Sequence, residues 1–402
     1  MAAPTLLDTP DVEGIDFAFE DLPDLHATLA RLRSRRPFAV VSFAGARAVL
    51  LLTNGLVSAA FRDEPTFPAA AVYRMTTGPV LGKTLQCMDG TEHRNARGLA
   101  APPFRRNRVA EYVQPILEPL AHELIDRFQG HGRADLVAEF ATKYPVLVIS
   151  RLLGLPVRDE ATVHRWAHDL FYFPLAPEAA MRASREFTEY VTPILAERRR
   201  EPGDDLISKL VTESAEGEHL DDEQVLSFLR LLFPAGADTT MLALGNTLSA
   251  LLTHPDQLAL LESDLNEHAD WAIWEALRWE PPVGLLPRVC PEAVEWNGLS
   301  IPALTPMIFS INAALRDPAV YEQPDEFDIS RRQTTMLAFG QGPHSCAGNW
   351  LAIAELTTAL KVLLQRLPGL YLHADARADA KVVSQVGTAL RGPNALRVGW
   401  RG

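Results

Sequence analysis

The sequence predicts a mainly α-helical fold with a minor β region, and three observations carry that prediction. Helical apolar spacing runs through most of Tyr112 to Arg200. A long apolar helix follows, opened by Asp221-Asp222-Glu223. Strand-like runs are few and short, without the regular alternation of strands and helices that a doubly wound sheet requires.

The 402 residues are 47% hydrophobic, which is ample for a large core. Length alone allows two or three domains, but no Ser/Gly-rich linker divides the chain, so residues 1–402 are read as one domain. A net charge of -13 argues against a nucleic-acid binder and implies an acidic surface. Three cysteines, Cys87, Cys290 and Cys346, cannot make a disulfide framework and point to a reducing compartment. Met1 to Glu20 carries three Asp and two Glu and no apolar core, so neither a signal peptide nor an anchor is expected. No run approaches the ~18 apolar residues of a spanning helix. The expectation is a cytoplasmic monomer without membrane or nucleic-acid partners.

Taken in order, Asp24 to Arg35 has helical spacing, Phe38 to Phe43 reads as a strand and Ala46 to Leu52 as a helix. Phe67 to Gly90 mixes Pro68, Gly78, Pro79 and Gly82 with apolar residues and reads as a long loop, a kind of segment that is often functional. Met88 to His93 opens a helix, capped by Asp89 or Thr91. On it His93 and Arg97 lie four apart on one face, which suits a solvated basic face or an anion clamp. Arg105, Arg106 and Arg108 follow a Pro102-Pro103 break and form a basic patch on an acidic protein.

The helical text from Tyr112 breaks at Gly130-His131-Gly132, Gly154-Leu155-Pro156 and Pro174. Leu170-Phe171-Tyr172-Phe173 is an apolar cluster that suits core packing or a pocket wall. Asp204 caps the next helix. The long helix carries Pro234-Ala235-Gly236-Ala237-Asp238-Thr239-Thr240. Gly in mid-helix costs about 1 kcal/mol against Ala. Pro234 costs more and implies a kink. Such a string suits a close helix crossing or a functional opening. Glu275 and Arg278 stand three apart on one helical face. Short strands follow through Phe309, and Val382 to Val386 with Leu396 to Trp400 read as a final hairpin.

Near the end comes Phe339-Gly340-Gln341-Gly342-Pro343-His344-Ser345-Cys346-Ala347-Gly348, then a good helix former from Asn349. Gly and Pro at this density mark a tight, shaped loop. A cysteine just ahead of a helix N-terminus is favoured as a thiolate, hence a ligand for a soft metal or a nucleophile. His344-x-Cys346 has no second ligand pair at zinc spacing.

The order F-G-x-G-x-H-x-C-x-G resembles the haem-ligand loop of the cytochrome P450 family. The resemblance implies a P450 fold, a helical haem b domain in which Cys346 is the axial thiolate of the iron. Phe339 would shield the sulfur, Gly340 and Gly342 would turn the loop, and backbone N–H groups around Gly348 would tune the ligand. His344 would point at a haem propionate. His93 and Arg97 resemble the family's H-x-x-x-R propionate clamp, and Arg288 matches its third propionate ligand. Ala235, Gly236, Asp238, Thr239 and Thr240 match the oxygen-binding helix. There the small residues would pass close to the haem, and Asp238 with Thr239 would deliver protons. Glu275 and Arg278 resemble the buried E-x-x-R pair, completed by Arg331. Residues 67–90 and Gly387 to Leu390 would face the substrate. Three positions depart from the pattern: Pro234, Ile353 where many bacterial members have Arg, and Ile301 to Pro306, where Ala and Pro replace a glycine turn.

The implied activity is monooxygenation of a hydrophobic small molecule, one oxygen atom entering the substrate and the other leaving as water. Electrons would come from a separate ferredoxin and ferredoxin reductase, since no reductase segment is fused. A peroxide-driven peroxygenase would not need the Asp238-Thr239 pair. A haem-thiolate gas sensor would carry a signalling or DNA-binding module, and no part of the chain reads as spare or basic.

Overall fold

Phe38–Phe43 and Ala46–Leu51 pair as an antiparallel hairpin, turned by Ala44 and Gly45 at φ 52° and 75°. Ala46 to Leu52 is therefore a strand rather than the expected helix. Two left-handed residues suit a two-residue hairpin loop, whose twist matches the strands. The run has no alternation because both faces are covered. Val49 and Leu51 enter one apolar cluster, and Ala48 and Leu50 another.

The structure, a computed structural model, describes residues 11–401 except 13, 23, 174, 213–218, 335 and 374–384. Its contacts divide the chain into two compact units. The first draws on Met1–Val72, Gly245–Cys346 and Arg377–Asn394. Its four-stranded sheet has the order Phe38–Phe43, Ala46–Leu51, Thr305–Ser310, Leu285–Cys290, with the middle pair parallel. Leu265–Trp279 presents Glu275 and Arg278 as a buried ion pair at 2.7 Å, and Arg331 approaches Glu275 at 3.4 Å, as the E-x-x-R pattern implies. In Ile301 to Pro306, where a glycine turn is usual, Leu304 takes φ 61° and is exposed. A left-handed Leu costs about 1–2 kcal/mol, and Thr305 Oγ1 steadies the turn by donating to Pro302 O at 2.7 Å.

The second unit draws on Tyr73–Leu244, Ala347–Ala376 and Ala395–Gly402. Helices Gly90–Ala100, Glu118–Asp126, Tyr144–Leu152, Glu160–Phe171, Pro177–Arg200 and Asn349–Arg366 lie in it, with most of the long helix Asp222–Thr253. Asp221 and Gln224 cap that long helix reciprocally, each side chain accepting from the other's backbone N–H at 2.8–2.9 Å. By length and apolarity it is the one helix among the described residues that passes for a membrane span, and over half of its most apolar window is buried in the protein. It continues through Pro234 as helix. Ile353 is buried on Asn349–Arg366.

Other expectations shift locally. The loop of residues 67–90 contains short helices, Ala69–Tyr73 and Gly78–Leu81. Asp205, not Asp204, caps Leu206–Thr212, its Oδ1 accepting from the Ser208 N–H at 2.8 Å while Oδ2 holds Arg198. Among the described residues, the expected final hairpin does not form. Arg397–Gly399 joins Arg133–Asp135 and Tyr371–Leu372 instead. Gln385–Val386 pairs with Gly392–Pro393. Gly387, at φ 88° and with no room for a Cβ beneath Leu390 O, closes that nearer turn. Residues 382–384 of the expected strand and Pro174 lie outside the described residues.

Candidate active site

Cys346 is the exposed cysteine of the three; Cys87 and Cys290 are buried. Its loop is shaped by Gly340 and Gly342, at φ 67° and 74°. A Cβ on Gly342 would come within 2.2 Å of the Phe61 carbonyl oxygen, so no larger residue fits. The Cys346 N–H donates to Phe339 O at 2.8 Å and closes the loop. Phe339 rests edge-on against Trp274, with centroids 6.1 Å apart. Gly348 caps Asn349–Arg366, its carbonyl accepting from the Ala352 N–H at 2.9 Å.

The cationic candidates divide between the units. In the first, Arg288 is buried on Leu285–Cys290, donates to Pro287 O at 2.8 Å and lies over the Phe309 ring. His344 Nε2 stands 3.2 Å from Glu64 Oε1. Burial raises the Glu64 carboxyl, but the adjacent His344 ring and the hydrogen bond from the Ala69 N–H outweigh it and hold the group below the usual range. In the second unit, His93 is buried and Arg97 half-buried, one turn apart on Gly90–Ala100.

On the long helix, Ala235, Gly236 and Thr239 form a half-buried stripe, while Ala237, Asp238 and Thr240 are buried. A Cβ on Gly236 would meet Ile149 at an ordinary 3.6 Å, so protein packing does not demand glycine there. Thr239 Oγ1 donates to Ala235 O at 2.7 Å, which leaves its lone pairs free to accept. Asp238 Oδ2 is buried without a hydrogen-bond partner. Burial pushes the Asp238 carboxyl up to about 6, and His168 works against that rise. Tyr172 shares this environment. Burial, with the Asp238 charge, pushes its phenol up to about 12, and His168 stacks on its ring at 4.6 Å. The apolar reading of Leu170 to Phe173 missed this polar role. The signal was present, since His168 and Tyr172 lie four apart on one helical face. Glu64 was missed as well, and no motif in the sequence marks it.

The donor set fits haem. It offers an exposed thiol in a shaped loop, cationic side chains suited to propionates, and a half-buried stripe of small residues on the long helix. A family model described as Cytochrome P450 matches residues 161–380. The chain belongs to the cytochrome P450 family. It is 34% identical to the cytochrome P450 monooxygenase PikC of Streptomyces venezuelae, over 100% of this chain and 95% of that protein. It is 36% identical to the mycinamicin IV hydroxylase/epoxidase of Micromonospora griseorubida, over 84% and 83%. Among solved structures, the P450 PksS of the Bacillus subtilis bacillaene polyketide synthase superposes at TM-score 0.85 with 29% identity, covering 94% of this chain and 97% of that one. The fold is thus the helical P450 fold expected from the sequence, and this P450 is an oxidoreductase of the monooxygenase type with a haem-iron cofactor.

Proposed function

We propose that this P450 inserts one oxygen atom from O2 into a hydrophobic small molecule, by hydroxylation or epoxidation, with haem b held through Cys346. The reading treats residues 1–402 as one haem domain working as a monomer in the cytoplasm. The observation that carries it is the acid–alcohol pair: Asp238, buried and poised near neutrality, beside Thr239, whose hydroxyl is oriented by Ala235. The relatives named hydroxylase and hydroxylase/epoxidase support the same outcome.

Haem, when bound, supplies the oxygen activation, and the protein supplies ligation, orientation and protons. His93, Arg97, Arg288 and His344 would hold the propionates as charge-assisted donors. Ala235, Gly236 and Thr240 would leave room along the helix. Phe339, at the start of the cysteine loop, would shield the sulfur once haem is bound. Asp238 holds a proton below about pH 6 and releases it above, so near neutrality it can pass protons inward. Thr239, its own proton given to Ala235 O, would accept a hydrogen bond from water.

Removing the Thr239 hydroxyl should leave folding, haem content and substrate binding close to wild type. Thr239→Ala should still consume reductant and oxygen while releasing severalfold more hydrogen peroxide per product, because an ordered proton donor is lost. Asp238→Asn should slow turnover with a larger solvent isotope effect. Product, peroxide and reductant are measured together on one preparation. Wild-type product per reductant in Thr239→Ala would return the peroxide-driven reading.

Electrons are proposed to come from a ferredoxin and its reductase. Arg105, Arg106 and Arg108 are exposed, and Arg106 lies 5.1 Å over the Trp350 ring, on the helix that follows the Cys346 loop. This basic patch on an acidic protein suits an acidic donor. Reduction should slow with salt, and Arg105→Glu with Arg106→Glu should slow it roughly tenfold at low salt. Salt-independent reduction would exclude this docking.

A further inference from the structure

Glu64 lies in the unit that carries Cys346 and belongs to none of the motifs above. It ends a short stretch, Phe61 to Glu64, that meets the cysteine loop at three points. The Phe61 ring lies 3.4 Å from where a Gly340 Cβ would stand, and the Phe61 carbonyl closes off Gly342. Glu64 Oε1 stands 3.2 Å from His344 Nε2. The stretch is itself tied down. Asp63 accepts from the Trp296 indole N–H at 3.0 Å, and Glu64 accepts from the Ala69 N–H at 2.9 Å.

A backbone turned by two left-handed glycines is soft at both of them. Two of the three contacts are apolar or steric and set how close the loop comes. The third is a polar contact between the Glu64 carboxylate and the His344 ring. We propose that Glu64 is a positioning residue of the cysteine loop, fixing the His344 ring and thereby the backbone that leads to Cys346 two residues on. The role rests on the reading of Cys346 as the haem thiolate.

The test uses the haem-loaded protein as its reduced carbon monoxide complex. Loss of the thiolate-type band is followed over time in mild urea. Glu64→Ala should lose the band roughly fivefold faster than wild type, the scale of one polar contact. Glu64→Gln keeps the shape and can still accept, so it should recover part of that rate; it also carries the test if the alanine variant fails to take up haem. The deciding comparison is a double-mutant cycle with His344→Ala. If Glu64 acts through His344, the double variant loses the band no faster than His344→Ala alone. Asp63→Ala loosens the same stretch by removing the Trp296 contact without touching His344, and its effect should multiply with that of His344→Ala. Multiplying rates in the Glu64/His344 cycle, or a wild-type rate in Glu64→Ala, would overturn the role while leaving the thiolate assignment standing. A wild-type protein without the thiolate band would overturn both.

Discussion

Cys346→His should abolish the red-shifted carbon monoxide band that gives the P450 family its name, while Cys87→Ser and Cys290→Ser should keep it. This is the largest effect expected in the chain, because the band reports a thiolate bonded to iron, the role proposed for Cys346. Cys87 is enclosed between Thr84 Oγ1 at 3.6 Å and Gly82 O at 3.9 Å. Cys290 sits in an apolar cluster, its Sγ 3.1 Å from Glu292 O, and burial raises its thiol. A buried thiol with a raised pKa is a poor ligand. Cys346 is exposed and ends a loop whose glycines admit no other residue at one position. Imidazole lacks the electron donation that favours O–O cleavage, so turnover should fall below detection even where haem is retained. The readouts are the reduced carbon monoxide spectrum and haem content of the purified variants. A retained thiolate band in Cys346→His would move the ligand to another residue.

What the sequence made legible is what depends on near neighbours along the chain. The cysteine loop could be read because Gly340, Gly342 and Cys346 answer to local backbone geometry, and the structure gives both glycines the positive φ that the reading requires. Glu275 and Arg278 could be read because i,i+3 spacing puts them on one helical face. Ala46–Leu51 could not. A strand buried on both faces loses the alternation that separates strand from helix, and its neighbour Thr305–Ser310 comes from far along the chain. Arg397–Gly399 failed for the same reason, since its partners Arg133–Asp135 and Tyr371–Leu372 are chosen by the tertiary fold. Glu64 was invisible because its meaning lies in His344, and nothing in the DEPTF run around it marks a site. The missing glycine in Ile301 to Pro306 was noticed, but only coordinates could assign the strain to Leu304.

The second large effect concerns Arg278, which should be needed for the fold before any chemistry begins. Its side chain is fully buried, a costly place for a guanidinium unless every donor is met. All are met. Nε and Nη2 donate to the two Glu275 oxygens at 2.7 Å each. Nη1 donates to Leu315 O at 3.2 Å and Pro324 O at 2.7 Å, and Nη2 also to Glu326 O at 2.8 Å. Glu275 in turn accepts from the Asp328 N–H at 2.9 Å, with Arg331 at 3.4 Å. The pair therefore fastens residues 315–331, a stretch with little regular structure of its own, to Leu265–Trp279. Removing one partner leaves a buried charge and several orphaned carbonyls. Arg278→Ala should cost about 3–5 kcal/mol in urea unfolding. Arg278→Lys keeps the charge but lacks the planar fork, and should recover only a minor part. Because the fastened stretch leads into the Phe339 to Cys346 loop, both variants should also purify with less haem than Thr239→Ala, which changes the chemistry without touching this network. A loss below about 1 kcal/mol for Arg278→Ala would place the pair among exposed ion pairs of little weight, against its complete burial here.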